Sequence, residues 1–320
     1  MFEEKFTNFN VNLNTLSRTN TFSNGDLITG HISFDLSKET EITSLTMKLK
    51  GNVNVHWSIA GGGGRKSRRR RKNYSAKVEL FSFKSVILQE NCAVGGTPKL
   101  QPGRHVYPIS CQLPRGDFPS SFRGVHGQIL YTLTVGINRP WHLSKDFVTE
   151  LNFVHHIDTN QPELWAPLSG SNRMTLSCLW WAPGPITMTV STEKKAFIPG
   201  ETAKIICEFS NASSRTATPK VKLQQKQTFY TANRVHRRMV SRVLANITGD
   251  RVHAHTSNVH TEIMLTIPSS ASFTVSNCSF IDVDYNIEVS LCVKASHDLT
   301  VLCPIILCDT SAHALSPPLL

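Results

Sequence analysis

Short apolar runs with strict period-two alternation, closed off by Gly, Pro, Asn and Ser, constrain this chain more than any other feature. Leu45-Thr-Met47-Lys-Leu49 and Ile129-Leu-Tyr131-Thr-Leu133-Thr-Val135-Gly-Ile137 alternate in the first half. Ile186-Thr-Met188-Thr-Val190, Ile263-Met-Leu265-Thr-Ile267 and Ile281-Asp-Val283-Asp-Tyr285-Asn-Ile287-Glu-Val289-Ser-Leu291 alternate in the second. Every second residue of a strand faces the same side, so each run gives one apolar and one wet face. No segment carries a sustained helical period with caps. The expected fold class is therefore all-β, built as antiparallel β-sandwiches of the immunoglobulin-like kind.

The framework occurs twice, which makes two tandem domains. Phe22-Ser-Asn-Gly25-Asp26 precedes a β-run, and so does Phe197-Ile-Pro-Gly200-Glu201. Phe118-Pro119-Ser120-Ser121-Phe122 precedes Tyr131, and Ile267-Pro268-Ser269-Ser270 with Phe273 precedes Tyr285. At 320 residues there is room for two cores of roughly 150 residues each. The stretch from Asp158, with Pro162, Pro167 and Gly170, lacks alternation. We therefore expect a first sandwich over 1–157, a linker over 158–176, a second sandwich over 177–312 and a short tail over 313–320.

The opening Met1-Phe-Glu-Glu-Lys-Phe6 has acids where a signal peptide needs bases, and no apolar segment follows. No run approaches the roughly 20 apolar residues of a membrane span. A cytoplasmic location is expected, and with it free thiols at the eight cysteines, seated in strand cores. A secreted immunoglobulin-like binding module, with disulfides and glycans, is one alternative. Cys303-Pro-Ile-Ile-Leu-Cys308 is spaced like half a zinc site but lacks a second ligand pair. His253 and His255 would share a face of a strand, and His155-His156 and His260 add nitrogens, but polar strand faces explain them better than a metal. No nucleophile elbow, phosphate-binding loop or dinucleotide fingerprint is present. Neither a cofactor nor a metal is expected, and the chain is not expected to be an enzyme.

The net charge of +11 is concentrated in one place. After Gly61–Gly64 come Arg65, Lys66, Arg68, Arg69, Arg70, Arg71 and Lys72, seven positive charges in eight residues. This segment separates the Val53-Val55-Trp57 strand from the Tyr74-Ala76-Val78-Leu80 strand, so it should be a hairpin loop. Its plain reading is a solvated charge run. Its functional reading is attraction to anionic lipid headgroups or to an acidic partner. Nucleic acid is the weaker reading, because no aromatic residue interleaves the charges. A second basic surface is expected at Arg234, Arg237, Arg238 and Arg242, on a solvent-facing strand or loop edge.

These residues resemble those of the alpha-arrestins, the arrestin domain-containing proteins. The resemblance is carried by Phe22-Ser-Asn-Gly25-Asp26, Leu49-Lys-Gly51, Phe118–Gly127 and Arg139-Pro140-Trp141 in the first half. Gly184-Pro-Ile186, Ile198-Pro-Gly200-Glu201 and Asn277–Tyr285 carry it in the second. It implies two arrestin-like sandwiches and an adaptor that binds cytoplasmic regions of membrane proteins. Such an adaptor is recruited to the plasma membrane and endosomes, and couples its cargo to endocytic sorting and ubiquitination. Family members recruit HECT-type ubiquitin ligases through Pro-Pro-x-Tyr motifs. Here Pro317-Pro318 is followed by Leu319-Leu320, so direct WW-domain binding is not expected. A thiol-based redox-regulatory protein is the other alternative. The thioredoxin-interacting relative uses a second-domain cysteine, yet the corresponding stretch Asn246–Thr256 contains none.

Overall fold

Ile129, Tyr131, Leu133, Val135 and Ile137 are all fully buried, as the alternation requires, and their run forms the middle of a sheet. The computed structural model describes residues 5–14, 20–60, 71–89, 99–158, 160–176, 184–294 and 296–309. The chain divides into two compact units, Met1–His155 with Tyr230–His236, and His156–Phe229 with Arg237–Leu320.

In the first half the strands are β1 Phe6–Asn14, β2 Thr21–Phe22, β3 Leu27–Leu36, β4 Thr40–Glu41, β5 Ser44–Ala60 and β6 Arg71–Gln89. They are followed by β7 Lys99–Leu100, β8 Gly103–Gln112, β9 Phe122–Arg123, β10 Gly127–Asn138 and β11 Lys145–Phe153. One sheet has the order β1-β3-β8 and the other β2-β11-β10-β5-β6, with β9 on β10 and a separate β4-β7 pair. In the second half come β12 Leu168–Thr175, β13 Pro185–Thr192, β14 Ala196–Phe197, β15 Thr202–Asn211 and β16 Ala217–Tyr230. β17 Arg237–Thr248, β18 Thr256–Thr266, β19 Ile281–Val293 and β20 Leu299–Leu307 complete it. Their sheets run β12-β13-β15-β18 and β14-β20-β19-β16-β17.

Apart from the additional β12, the two halves have the same strand order in both main sheets. The duplication extends to single atoms. β2 pairs parallel with β11, and β14 pairs parallel with β20. After each of these short strands a glycine takes a positive φ, +78° at Gly25 and +95° at Gly200, which a side chain would strain. The acid that follows then closes the turn. Asp26 Oδ2 accepts the Ser23 N–H at 2.7 Å, and Glu201 Oε2 accepts the Ile198 N–H at 2.9 Å. Tyr131 donates its hydroxyl to the Pro119 carbonyl at 2.6 Å, and Tyr285 donates to the Ser272 carbonyl at the same distance. Each buried phenol thus pins an incoming loop to a central strand, which satisfies a polar group that would otherwise be costly to bury.

The stretch expected to be a linker carries structure of its own. Pro162–Leu164 forms a 3-10 turn that buries Leu164 against Ala196 and Cys308. β12 pairs with β13 from Leu168↔Thr192 to Thr175↔Pro185. None of its eight residues is fully buried, so backbone pairing, with Asn172 Nδ2 donating to the Thr300 carbonyl at 2.8 Å, does most to hold this edge strand. An edge strand of that kind needs no apolar alternation.

Candidate functional site

β5 and β6 pair antiparallel as far as Ala60↔Arg71, which fits the expected hairpin. Arg71 and Lys72 open β6 and are exposed; Arg65, Lys66, Arg68, Arg69 and Arg70 lie outside the described residues. Beneath them Trp57 is buried and stacks on Tyr74 at 5.3 Å, with Lys72 Nζ 5.3 Å from the Tyr74 centroid. The edge of the His236 ring meets Tyr74 at 4.8 Å. Aromatic packing therefore lies under Lys72 at the mouth of the hairpin. Neither Arg71 nor Lys72 forms an ion pair with a described residue.

Arg234 sits in the turn between β16 and β17. That turn is closed by Thr231 N–H to the His236 carbonyl at 3.0 Å and Arg234 N–H to the Thr231 carbonyl at 2.8 Å. Arg234 has a φ of +56°, and its guanidinium lies 4.4 Å from the Tyr230 ring centroid. Arg237, Arg238 and Arg242 project from β17, the last strand of its sheet, and all three are exposed. They too make no ion pair among the described residues. Some other surface cations are partnered: Lys204 with Glu262 at 2.7 Å, Lys222 with Glu288 at 3.1 Å and Lys50 with Glu79 at 2.7 Å. Unpaired guanidiniums are available for bidentate contact with carboxylate or phosphate.

Comparison with known proteins is decided by the two halves separately. Residues 9–160 match the arrestin (or S-antigen) N-terminal domain, and residues 182–311 match the C-terminal domain. The chain belongs to the alpha-arrestin family. Mouse arrestin domain-containing protein 4 is 26% identical over 286 residues, covering 89% of this chain and 68% of that protein. The human protein of the same name is 26% identical over 290 residues, covering 91% of this chain and 68% of its own length. Human thioredoxin-interacting protein is 20% identical over 289 residues, 89% of this chain and 71% of that protein.

Four described thiols of this alpha-arrestin, Cys111, Cys207, Cys292 and Cys303, are shifted away from nucleophilic chemistry. The six described cysteines, Cys111, Cys207, Cys278, Cys292, Cys303 and Cys308, form no disulfide with one another; Cys92 and Cys178 lie outside the described residues. Burial, with the neighbouring Cys303 adding to it, pushes the Cys207 thiol up to about 12. Burial also raises Cys111 and Cys303. Cys292 is raised by burial and then by Asp298, whose carboxylate accepts its S–H at 3.3 Å. A reactive thiol requires the opposite shift. His253 and His255 do not share a strand face. They flank a turn in which His255 has a φ of +56°, so that geometry cannot supply two ligands from one strand. No group of three or more His, Cys, Asp or Glu suited to a metal occurs among the described residues. No described helix is long and apolar enough to cross a membrane.

Proposed function

We propose that this alpha-arrestin is a cytosolic adaptor that binds the cytoplasmic regions of membrane proteins and couples them to endocytic sorting and ubiquitination. It works by binding and co-localisation rather than by bond chemistry, at the plasma membrane and on endosomes, with HECT-type ligases as the ubiquitination partner. The observation that carries this reading is the clustering of cations that make no ion pair among the described residues, Arg71 and Lys72 at the hairpin mouth and Arg237, Arg238 and Arg242 on β17. Their complement is an anionic headgroup layer or an acidic tail. In the first case each Lys or Arg contributes on the order of 1 kcal/mol near an anionic leaflet. The redox reading draws on the name of the thioredoxin-interacting relative, and the raised thiols speak against it.

Proximity labelling in cells, with the chain and with a variant carrying Ser at Arg68–Arg71, tests the proposal. Enrichment of endosomal and plasma-membrane proteins with ubiquitin ligases, reduced in the variant, supports it. A labelled set without membrane proteins refutes it.

A further inference from the structure

The most exposed large apolar side chains among the described residues are neighbours. Trp141 is 102% exposed and Leu143 is 92% exposed, whereas the next, Val235, reaches 68%. Both sit in the loop 139–144 that joins β10 to β11. Neither is explained by folding, because neither ring nor isobutyl group is covered by the protein.

The loop is braced to hold them out. Asn138 donates its amide to Ser44 Oγ at 2.8 Å, and its carbonyl accepts the Thr43 N–H at 2.8 Å. His142 Nδ1 lies 2.7 Å from the Pro140 carbonyl, and Ser144 Oγ donates to Asp146 Oδ1 at 2.8 Å. Arg139 is 9% exposed, with its guanidinium 5.9 Å from the Phe6 ring centroid, and it ties the base of the loop to β1. Trp141 itself has a φ of +60°, a left-handed conformation that strains a bulky residue. Backbone strain concentrated at an exposed tryptophan points to use of that side chain.

Shape and charge identify what it meets. Trp141 borders an open cleft lined mainly by polar and charged side chains, Lys5, Glu39, Thr40, Glu41, Arg139 and His142, whereas its own ring stays fully exposed and Leu143 stands outside the cleft, so the two apolar side chains share no apolar groove. The charges around the tip are nearly balanced. Lys145 and Arg139 are offset by Asp146, while Glu39 and Glu41 both approach Lys99, at 3.7 and 3.4 Å. The contact is therefore apolar rather than electrostatic. Tryptophan with an adjacent aliphatic residue is the pairing that suits the boundary between headgroups and acyl chains, which accepts a protruding tip without a preformed pocket.

We propose that Trp141 and Leu143 form a membrane-insertion tip that seats the first unit in the interfacial zone of a phospholipid bilayer. Two side chains give a reversible contact, one that adds to the binding of a membrane-embedded partner. The inference is separate from the basic segment and predicts different behaviour. Insertion should need no anionic lipid and should persist at high salt, where charge attraction is screened.

The test is partitioning of the full chain onto phosphatidylcholine vesicles, with and without phosphatidylserine, in low salt and in high salt. The variants are Trp141→Ser with Leu143→Ser, and Ser at Arg68–Arg71. The parent should bind neutral vesicles in both salts with a blue-shifted tryptophan emission. The Trp141→Ser, Leu143→Ser chain should bind them at least about fivefold less well with an unchanged melting temperature, since both positions are exposed. Absence of parent binding to neutral vesicles, or equal partitioning of parent and double variant, overturns the proposal. Loss confined to serine-lipid vesicles at low salt in the arginine variant bears on the basic segment alone, so the two readings fail separately.

Discussion

Replacing Glu201 by Gln should destabilise the second unit by about 2–3 kcal/mol, and the reason is Lys194. The Lys194 side chain is only 9% exposed and is ion-paired with Glu201 Oε1, while Glu201 Oε2 accepts the Ile198 N–H. Glutamine keeps an acceptor for that N–H but leaves the ammonium without its counter-charge. Removing one partner of a buried pair costs about 3–5 kcal/mol. The carboxylate side chain is 20% exposed, and the Phe197 and Trp165 ring centroids stand 5.1 and 5.9 Å from Lys194 Nζ, so water and ring faces offset part of that. At about 3 °C per kcal/mol for a unit of this size, melting should fall by roughly 6–9 °C. Asp26 is the internal control. It closes the same turn in the first half and makes no ion pair among the described residues, so Asp26→Asn should cost under about 1 kcal/mol. The assay is thermal unfolding of both variants and of Glu201→Gln combined with Lys194→Met, which removes the stranded charge. A shift below about 2 °C for Glu201→Gln, or one undiminished in the Lys194→Met background, would refute the reasoning.

Three further outcomes are expected. A Cβ on Gly184 would lie 2.0 Å from the Ala212 carbonyl oxygen, so Gly184→Ala should lose at least about 2 kcal/mol in urea unfolding, with β13 forced off the neighbouring turn. Burial, then repulsion from Asp282, raises the Asp284 carboxyl. A raised acid disfavours folding once it ionises, so Asp284→Asn should raise the melting temperature at pH 7 and have no effect well below the unfolded carboxyl range; a melting temperature at pH 7 equal to the parent's would contradict this. Cys207 should resist iodoacetamide in the folded chain at pH 8 and react on denaturation, and peptide mass spectrometry showing early labelling there would be the contrary result.

The sandwiches were readable because their central strands must alternate: Ile129–Ile137 and Ile281–Leu291 each bury one face, and that leaves a period-two record. The duplicated turns were readable because a positive φ calls for Gly25 and Gly200 and the next residue must accept an N–H. β12 was not, since an edge strand with no buried residue is specified by backbone pairing, which any sequence without proline can supply. His253 and His255 look like one strand face in the sequence, but the turn before β18 separates them. Both basic clusters were visible as charge, while the exposure of Arg237, Arg238 and Arg242 with no ion pair among the described residues follows from the place of β17 at a sheet edge. Trp141-His-Leu143 resembles any short apolar segment; only its place at the end of β10 shows that nothing covers it.

The length of β5 turns the first unit into a spacer. Its Ser44 end lies opposite Asn138, beside the Trp141 loop, and its Ala60 end lies opposite Arg71. Sixteen residue steps at about 3.3 Å put those ends roughly 50 Å apart. That is several Debye lengths at physiological ionic strength, so if β5 stands upright on a leaflet that holds the tip, Arg71 and Lys72 lie beyond the reach of that leaflet's headgroups and the acidic tail is the complement left to them. The hairpin would then read what reaches it from the membrane. An extended tail needs roughly 15 residues to cover that distance, so cargo with shorter cytoplasmic segments would be excluded by reach alone.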